Sequence, residues 1–207
     1  MLELGDSGFV SRETWDRFNI YADLVRKWQN RINLISPKTL PDLWDRHILD
    51  SLQLARLAPE PKTWVDMGSG AGFPGMVTAI HLAAKGEGWV HLVESNNKKA
   101  AFLRQAITLT GARASVHPLR IDAAKPEVLH PDAISARALA SLPDLLGHCE
   151  RFAIVNPKLE MWFHKGLDYQ QEVRSARDQW RFDLVEHQSL LQDGSVILQI
   201  SNLARHI

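Results

Sequence analysis

One stretch decides the fold of this chain: Thr63-Trp64-Val65-Asp66-Met67-Gly68-Ser69-Gly70-Ala71-Gly72-Phe73-Pro74-Gly75, which continues into the apolar run Met76-Val77-Thr78-Ala79-Ile80. A β-branched and aromatic run ends in an acid, breaks into alternate glycines and resumes after a proline with helical spacing. This pattern predicts a strand, a tight loop and a helix. Glycines let a ligand approach main-chain N–H groups, and the start of a helix offers unpaired donors. The stretch therefore predicts a nucleotide-binding site.

The acid at the end of this strand separates two classes of ligand. Gly70, Gly72 and Gly75 satisfy the G-x-G-x-x-G spacing of dinucleotide folds, which alone is a weak signal. The carboxylate of Asp66 would repel an anionic pyrophosphate, whereas it would attract the sulfonium and amino groups of S-adenosylmethionine. The segment resembles the first motif of class I methyltransferases, so S-adenosylmethionine is the predicted cofactor.

Length and composition limit the classes of protein. A chain of 207 residues suits one α/β domain with a modest extension. Lysine plus arginine equal aspartate plus glutamate at 24 each, so no overall field attracts a nucleic acid. The single cysteine, Cys149, excludes an internal disulfide and a cysteine-based zinc site, and we predict no metal. Without a signal peptide or a long apolar run, we expect a cytoplasmic monomer with no membrane partner.

Two amphipathic helices are predicted before the glycine stretch. Ser11 is a suitable N-cap for the first, and the second covers roughly residues 42–57. In the second helix, His47 lies beside Asp50, and Arg46 is within ion-pair reach of Asp50. This trio either fastens the helices to the sheet or faces a substrate. We expect one domain, in which a helical extension of residues 1–60 packs on an α/β core of residues 61–207.

After the glycine stretch, predicted strands alternate with helices and end in polar residues. Glu94 ends the next strand, where a carboxylate accepts hydrogen bonds from an adenosine ribose. Asp122 follows the third strand and could accept a hydrogen bond from an adenine amino group. Arg137 and Lys165 end the fourth and fifth strands, at the edge where open α/β sheets bind ligands.

The last part of the chain predicts an antiparallel hairpin. Asp193-Gly194 separates two apolar runs, a spacing typical of a tight turn between strands. The prediction is therefore a seven-stranded, mostly parallel sheet with an antiparallel last strand and added N-terminal helices. This is the Rossmann-like fold of class I S-adenosylmethionine-dependent methyltransferases.

One segment departs from the overall charge balance. Residues 95–121 hold five basic residues and no acid: Lys98, Lys99, Arg104, Arg113 and Arg120. Such a run could contact RNA phosphates. It is equally typical of a solvated helix face.

Together, these motifs resemble the bacterial 16S rRNA guanine-N7 methyltransferases, the RsmG family. The matching segments are residues 66–75, Arg31-Ile32-Asn33-Leu34, Arg46-His47-Ile48-Leu49-Asp50-Ser51-Leu52, Ser135-Ala136-Arg137-Ala138 and Lys165-Gly166. The resemblance implies methyl transfer from S-adenosylmethionine to N7 of guanine 527, in 16S rRNA or in a precursor of the small ribosomal subunit. It also implies cofactor contacts at Gly68, Phe73, Ile121, Asp122 and Arg137.

Two segments depart from the pattern of that family. The family usually shows Gly-Arg-Ala-Glu where this chain has Leu119-Arg120-Ile121-Asp122, so a shorter acid must make the contact on the adenine side. A glycine pair usually precedes the fifth strand, and Asn156-Pro157-Lys158 stands there instead.

The predicted functional site combines the residues of these motifs with the residues at the strand ends. The predicted cofactor site comprises Asp66, Gly68, Gly70, Gly72, Phe73, Glu94, Ile121, Asp122 and Arg137, and the predicted RNA contacts are Arg46, His47, Lys98, Lys99 and Lys165. No general base is predicted, because guanine N7 has an exposed lone pair and needs positioning alone. The alternatives are a small-molecule methyltransferase, a nicotinamide-dependent oxidoreductase and a catalytically silent RNA- or protein-binding domain.

Overall fold

The computed structural model of the chain describes residues 9–60 and 62–206. Its strands are β1 (Thr63–Met67), β2 (Trp89–Val93), β3 (Ala114–His117), β4 (Ala133–Arg137), β5 (Glu160–Lys165), β6 (Trp180–Gln188) and β7 (Val196–Arg205). Its α-helices are α1 (Arg12–Gln29), α2 (Asp50–Leu57), α3 (Gly75–Lys85), α4 (Asn97–Thr110), α5 (Pro126–Leu129), α6 (Leu142–Val155) and α7 (Tyr169–Arg177). Among the described residues, no helix is long and apolar enough to cross a membrane.

The strands form one sheet in the order β3-β2-β1-β4-β5-β7-β6. The first five strands are parallel, and β7 runs antiparallel between β5 and β6. Strand order reverses between β1 and β4, so the loops that follow these two strands diverge and leave a crevice at their carboxyl ends. The predicted class I methyltransferase fold is confirmed, including the reversed last strand.

The N-terminal helices pack on the helices that flank the sheet, α1 on α3 and α4 and α2 on α3. Phe18 and Tyr21 of α1 are fully buried, in the same apolar cluster as Trp64 of β1 and Phe102 of α4. The Tyr21 hydroxyl donates a hydrogen bond to the Ala71 carbonyl in the glycine loop. Helix α1 therefore supports the loop directly. The first eight residues of the predicted extension lie outside the described residues.

The prediction of a regular α-helix over residues 42–57 is wrong. The segment Trp44–Leu49 is a π-helix, and a regular α-helix starts only at Asp50. The wider turn changes which side chains meet, so the spacing rule for an α-helix fails here. Asp50 forms an ion pair with Arg137 of β4, with 3.2 Å between nitrogen and oxygen, instead of the expected pair with Arg46.

Candidate functional site

The glycine loop after β1 adopts a backbone that side chains disfavour. Gly68 and Gly70 have φ values of 64° and 56°, in the left-handed region. A Cβ atom on Gly68 would lie 2.5 Å from Leu139 Cδ1, so the Leu139 side chain would have to move. The Gly70 N–H donates to Glu94 Oε2 at 2.8 Å, so the loop is tied to the end of β2.

Glu94 stands at the centre of a cavity of about 340 Å³, which we call the Glu94 cavity. Its Oε1 accepts a hydrogen bond from the Asn96 N–H at 2.7 Å, and each carboxylate oxygen keeps a further lone pair for a ligand. The lining residues that matter here are Gly68, Gly70, Glu94, Lys99, Ile121, Asp122, Ala138 and Leu139. The predicted ribose and adenine residues therefore face one cavity.

The far wall of the Glu94 cavity is a short 3₁₀ turn, Ile121–Ala123. Asp122 is exposed and ion-paired with Arg120 at 3.3 Å. Arg151 of α6 donates to the carbonyl oxygens of Ile121 and of Asp122, the latter at 2.6 Å. Sequence analysis missed Arg151, because its role depends on a contact about thirty positions away that no local motif records.

Asp66 lies underneath the glycine loop and is 1% exposed. Its Oδ1 accepts a hydrogen bond from the Ser135 hydroxyl at 2.6 Å, and a Cβ on Gly75 would lie 2.5 Å from its Oδ2. Burial raises the pKa of Asp66 to about 6. The carboxylate lines neither the Glu94 cavity nor the cavity beside it, so its contact is with the loop that surrounds it.

Gly72 likewise faces the protein interior. A Cβ there would lie 2.5 Å from Met76 Cγ and 2.7 Å from the Tyr21 hydroxyl. The small residue is needed for close packing of α1 and α3 on the loop. Gly72 thus affects the loop through its packing against the protein interior.

A second cavity, of about 590 Å³, opens on the other side of the glycine loop. We call it the His47 cavity, and it shares Gly68, Gly70, Lys99 and Ala138 with the Glu94 cavity. Its roof is the segment 33–37, which Gln29 fastens through hydrogen bonds to the backbone of Leu34 and Ile35. The two cavities therefore lie next to each other, separated by the glycine loop.

Two rings form one wall of the His47 cavity. The His47 ring lies 5.0 Å from the Phe73 ring, and its Nε2 is 2.9 Å from the Thr39 hydroxyl. Burial lowers the pKa of His47 to about 4, so the imidazole is neutral at physiological pH. The π-helix that carries His47 is a type often found at functional sites.

The strand-end cations are neutralised by neighbouring carboxylates. Arg137 pairs with Asp50 and donates to the Arg46 carbonyl at 2.6 Å, while it lines the His47 cavity. Lys165 pairs with Glu172 at 2.6 Å and leaves only 7% of its side chain exposed. The structure thus places Lys165 inside the protein, away from a surface open to phosphates.

The remaining predicted RNA contacts occupy different positions. Arg46 and Lys98 are exposed, whereas Lys99 is half-buried and lines both cavities. The Asn96 side chain caps α4 by accepting from the N–H groups of Lys98 and Lys99. The cap fixes where these two adjacent lysines point relative to the loop.

Solved structures of similar shape are methyltransferases and a protein bound to S-adenosylmethionine. The ribosomal protein L11 methylase from Lactobacillus delbrueckii subsp. bulgaricus has a TM-score of 0.56 and 17% identity, over 74% of this chain and 77% of that chain. A mutant of MtNAS in complex with S-adenosylmethionine has a TM-score of 0.57 and 15% identity, over 91% and 76%. At such identities the similarity shows the fold alone.

Sequence comparison is more specific. A profile of the family described as rRNA small subunit methyltransferase G matches residues 14–200. Curated relatives named ribosomal RNA small subunit methyltransferase G include those of Rhizobium meliloti (strain 1021), at 57% identity, and Sinorhizobium fredii (strain NBRC 101917 / NGR234), at 55%. Both alignments cover 95% of this chain and 92% of the relative. The chain belongs to the rRNA small subunit methyltransferase G family, as its glycine loop and its Arg46–Leu52 block indicate.

Proposed function

We propose that this chain transfers the methyl group of S-adenosylmethionine to N7 of a guanine in 16S rRNA, the position implied by the resemblance being guanine 527. As a member of its family, the chain is an S-adenosylmethionine-dependent methyltransferase of small-subunit rRNA. The observation that carries the proposal is the pair of cavities that share Gly68, Gly70 and Ala138. One cavity suits an adenosine, and the other leaves room beside it for the target nucleotide to approach the cofactor.

The residues of the Glu94 cavity fit the cofactor. The Glu94 carboxylate keeps free lone pairs for ribose hydroxyls, and Ile121 and Asp122 would contact the adenine. The backbones of Gly68 and Gly70 would lie along the ligand, and Phe73 and Arg137 would approach it from the His47 cavity. Asp66 and Gly72 would act indirectly, by holding the loop. When bound, the cofactor supplies a methyl group on a positively charged sulfur.

The chemical step requires positioning more than acid–base chemistry. The N7 lone pair attacks the methyl carbon, the N–C bond forms as the C–S bond breaks, and the guanine ring takes up the positive charge. No proton has to leave before the attack, so no general base is needed. The target base must leave its stack to reach a recessed methyl group.

The RNA contacts divide into surface and interior groups. We propose that Arg46 and Lys98, which are exposed, neutralise phosphates. We assign His47, Lys99 and Lys165 to the interior, where they would bind or position the target nucleotide beside the cofactor. In this division, local contacts supply the attraction to RNA that the zero net charge of the chain does not.

The proposal is tested by locating the transferred methyl group. Small ribosomal subunits from a strain that lacks this chain are incubated with the purified protein and tritiated S-adenosylmethionine. Nucleoside mass spectrometry of the digested 16S rRNA then separates N7-methylguanosine from other methylated guanosines. We expect N7-methylguanosine at one position. Label at another atom, or in no nucleoside, would contradict the proposal.

We also propose that the chain is one folding unit, a monomer that acts in the cytoplasm, where ribosomal RNA is found. The shared apolar cluster of α1 with β1 supports the single unit. A single cooperative unfolding transition, seen alike by tryptophan fluorescence and circular dichroism, is expected. Sedimentation at micromolar concentration is expected to give the mass of one 23.4 kDa chain.

A further inference from the structure

A third cavity, of about 280 Å³, lies between the carboxyl ends of β4 and β5 and the start of β7. We call it the His164 cavity, after the β5 histidine in its wall. Arg137 lines it together with the His47 cavity, and Ala138 lines all three cavities. Ala138 has a φ of 52°, a conformation that is uncommon for a residue with a side chain and is concentrated at functional sites. The three cavities therefore meet at Ala138.

The charges around the His164 cavity are paired within the protein. Arg137 is bound to Asp50, and Lys165 is bound to Glu172 and to the Ala140 carbonyl. Two cations and two anions leave no net charge to attract a phosphate. The volume is near the lower limit of about 300 Å³ for ligand pockets, so a single ring system fits better than a whole nucleotide. A neutral base with several hydrogen-bonding groups matches both features.

His164, which lines this cavity, has a buried acceptor without a partner among the described residues. The residue is 8% exposed, and burial lowers its pKa to about 4, so the imidazole is neutral. Its Nε2 lies 3.4 Å from the Asp50 carbonyl oxygen, which can only accept, so Nε2 carries the hydrogen. Nδ1 is therefore a lone-pair acceptor, and it is buried without a partner among the described residues. Such an atom is costly unless a ligand donates to it.

We propose that the His164 cavity receives the Watson–Crick edge of the target guanine, and that His164 Nδ1 accepts a hydrogen bond from its N1–H or its 2-amino group. Guanine O6, on the same edge, would then face the cations Arg137 and Lys165. N7 is on a different edge of the base and stays free to face the junction with the cofactor cavities. This inference rests on the proposed function and names the subsite that selects the base.

The same contact discriminates between bases. Adenine carries a lone pair at N1 and no amino group at C2, so His164 Nδ1 would meet a second acceptor. Methylation at N7 also makes the guanine ring positive and its N1–H a stronger donor. The hydrogen bond to His164 then strengthens as the reaction proceeds, which lowers the barrier rather than tightening ground-state binding.

The test compares guanine with adenine at the target position. Reconstituted small subunits carrying either base are methylated by the wild-type protein, by His164→Phe, which removes the acceptor, and by His164→Asn, which keeps an oxygen near the place of Nδ1. We expect His164→Phe to lower kcat for guanine roughly 10- to 100-fold with a smaller change in KM, and to shrink the guanine-to-adenine ratio by the same factor. His164→Asn should restore most of both.

A matched control separates this role from general damage. His187→Phe removes another histidine of the same sheet, which stacks on Trp162 and lines none of the three cavities, and it should leave the ratio unchanged. Cofactor affinity, measured by calorimetry, should be equal in all variants. An unchanged base ratio in His164→Phe, or an equal loss in His187→Phe, overturns the inference.

A measurement on the wild-type protein remains decisive if a variant does not fold. The ¹⁵N resonance of His164 Nδ1 is followed while a short RNA with an unpaired guanine is added. We expect the shift of a nitrogen that becomes hydrogen-bonded, and the same RNA with adenine should not produce it. No shift with guanine overturns the inference. The wild type methylating an atom other than N7 would instead overturn the proposed function.

Discussion

The Glu94 cavity and the His164 cavity stand at the carboxyl ends of the same sheet, yet their polar groups are arranged in opposite ways. In the Glu94 cavity, each oxygen of the Glu94 carboxylate accepts one backbone hydrogen bond and keeps a further lone pair for a ligand. In the His164 cavity, every nearby charge has a partner inside the protein, and the free acceptor is a neutral imidazole. Under the two proposals, one sheet edge binds a charged cofactor in the first cavity and a neutral base in the second.

The largest expected effect is on the glycine loop. Gly68→Val should abolish S-adenosylmethionine binding, because the new Cβ would lie 2.5 Å from Leu139 and the φ of 64° strains any side chain. Gly111→Val is the matched control, since Gly111 has the same φ but open space around it at the end of α4. Calorimetry should show binding only in the control. Equal affinity in both variants would place the cofactor elsewhere.

The next largest effect is a difference in cofactor affinity between variants of Glu94 and Asp66, the two acids at the ends of adjacent strands. Glu94→Gln should weaken cofactor binding about 10- to 100-fold, because charge-assisted hydrogen bonds to the ligand and to the Gly70 amide are lost. Asp66→Asn should change the affinity less than about threefold, because Asp66 is buried under the loop. Binding titrations at pH 7.5 compare the two variants. A larger loss in Asp66→Asn would show that its carboxylate reaches the ligand.

Acid should destabilise the protein through His164. Its folded pKa of about 4 is below that of an unfolded histidine, so its stabilising contribution is complete above about pH 6.5 and is lost as pH falls toward 4. The loss amounts to about 2 to 3 kcal/mol of unfolding free energy at pH 4.5 relative to pH 7. Urea denaturation at pH 7 and pH 4.5 measures it, and His164→Phe should show a smaller difference between the two.

Asp66 provides a control, because its effect on stability changes with pH in the opposite direction to that of His164. Its folded pKa of about 6 is above the unfolded value, so its contribution is present at low pH and is lost as pH rises through 6. Asp66→Asn should therefore make the loss of stability on acidification steeper. A shallower acid dependence in Asp66→Asn would contradict the assignment.

The smallest effect concerns the lysines at the start of α4. Lys98→Glu should weaken RNA binding a few-fold and lower the slope of its salt dependence by about one, while cofactor affinity stays the same. Lys99→Glu should also weaken cofactor binding, because Lys99 lines both the Glu94 and the His47 cavities. Filter binding at several salt concentrations and calorimetry provide the two measurements. Identical behaviour of both variants would remove the distinction between surface and interior lysines.

The sequence predicted most of the sheet because its strands are marked locally. The β1 stretch, its glycines and the Asp193-Gly194 turn each specify backbone geometry through residues that lie next to one another, and the reversed last strand followed from them. The helix over residues 42–57 was predicted with the wrong geometry, because the pattern of apolar residues in this segment does not distinguish a π-helix from an α-helix. Its consequence was the wrong partner for Asp50.

The sequence by itself determined the family and the fold, because glycine conformation and strand-end residues act within a few positions. Its adenosine site around Glu94 stays a prediction. Only the tertiary structure decided that Asp66 is enclosed by its own loop, that Lys165 is neutralised by Glu172, and that His164 keeps an unpaired acceptor. Burial and pairing depend on groups that the fold brings together, such as His164 and the Asp50 carbonyl, which are 114 positions apart. The free energy of a charge or a lone pair depends on those distant neighbours, which no local pattern of residues records.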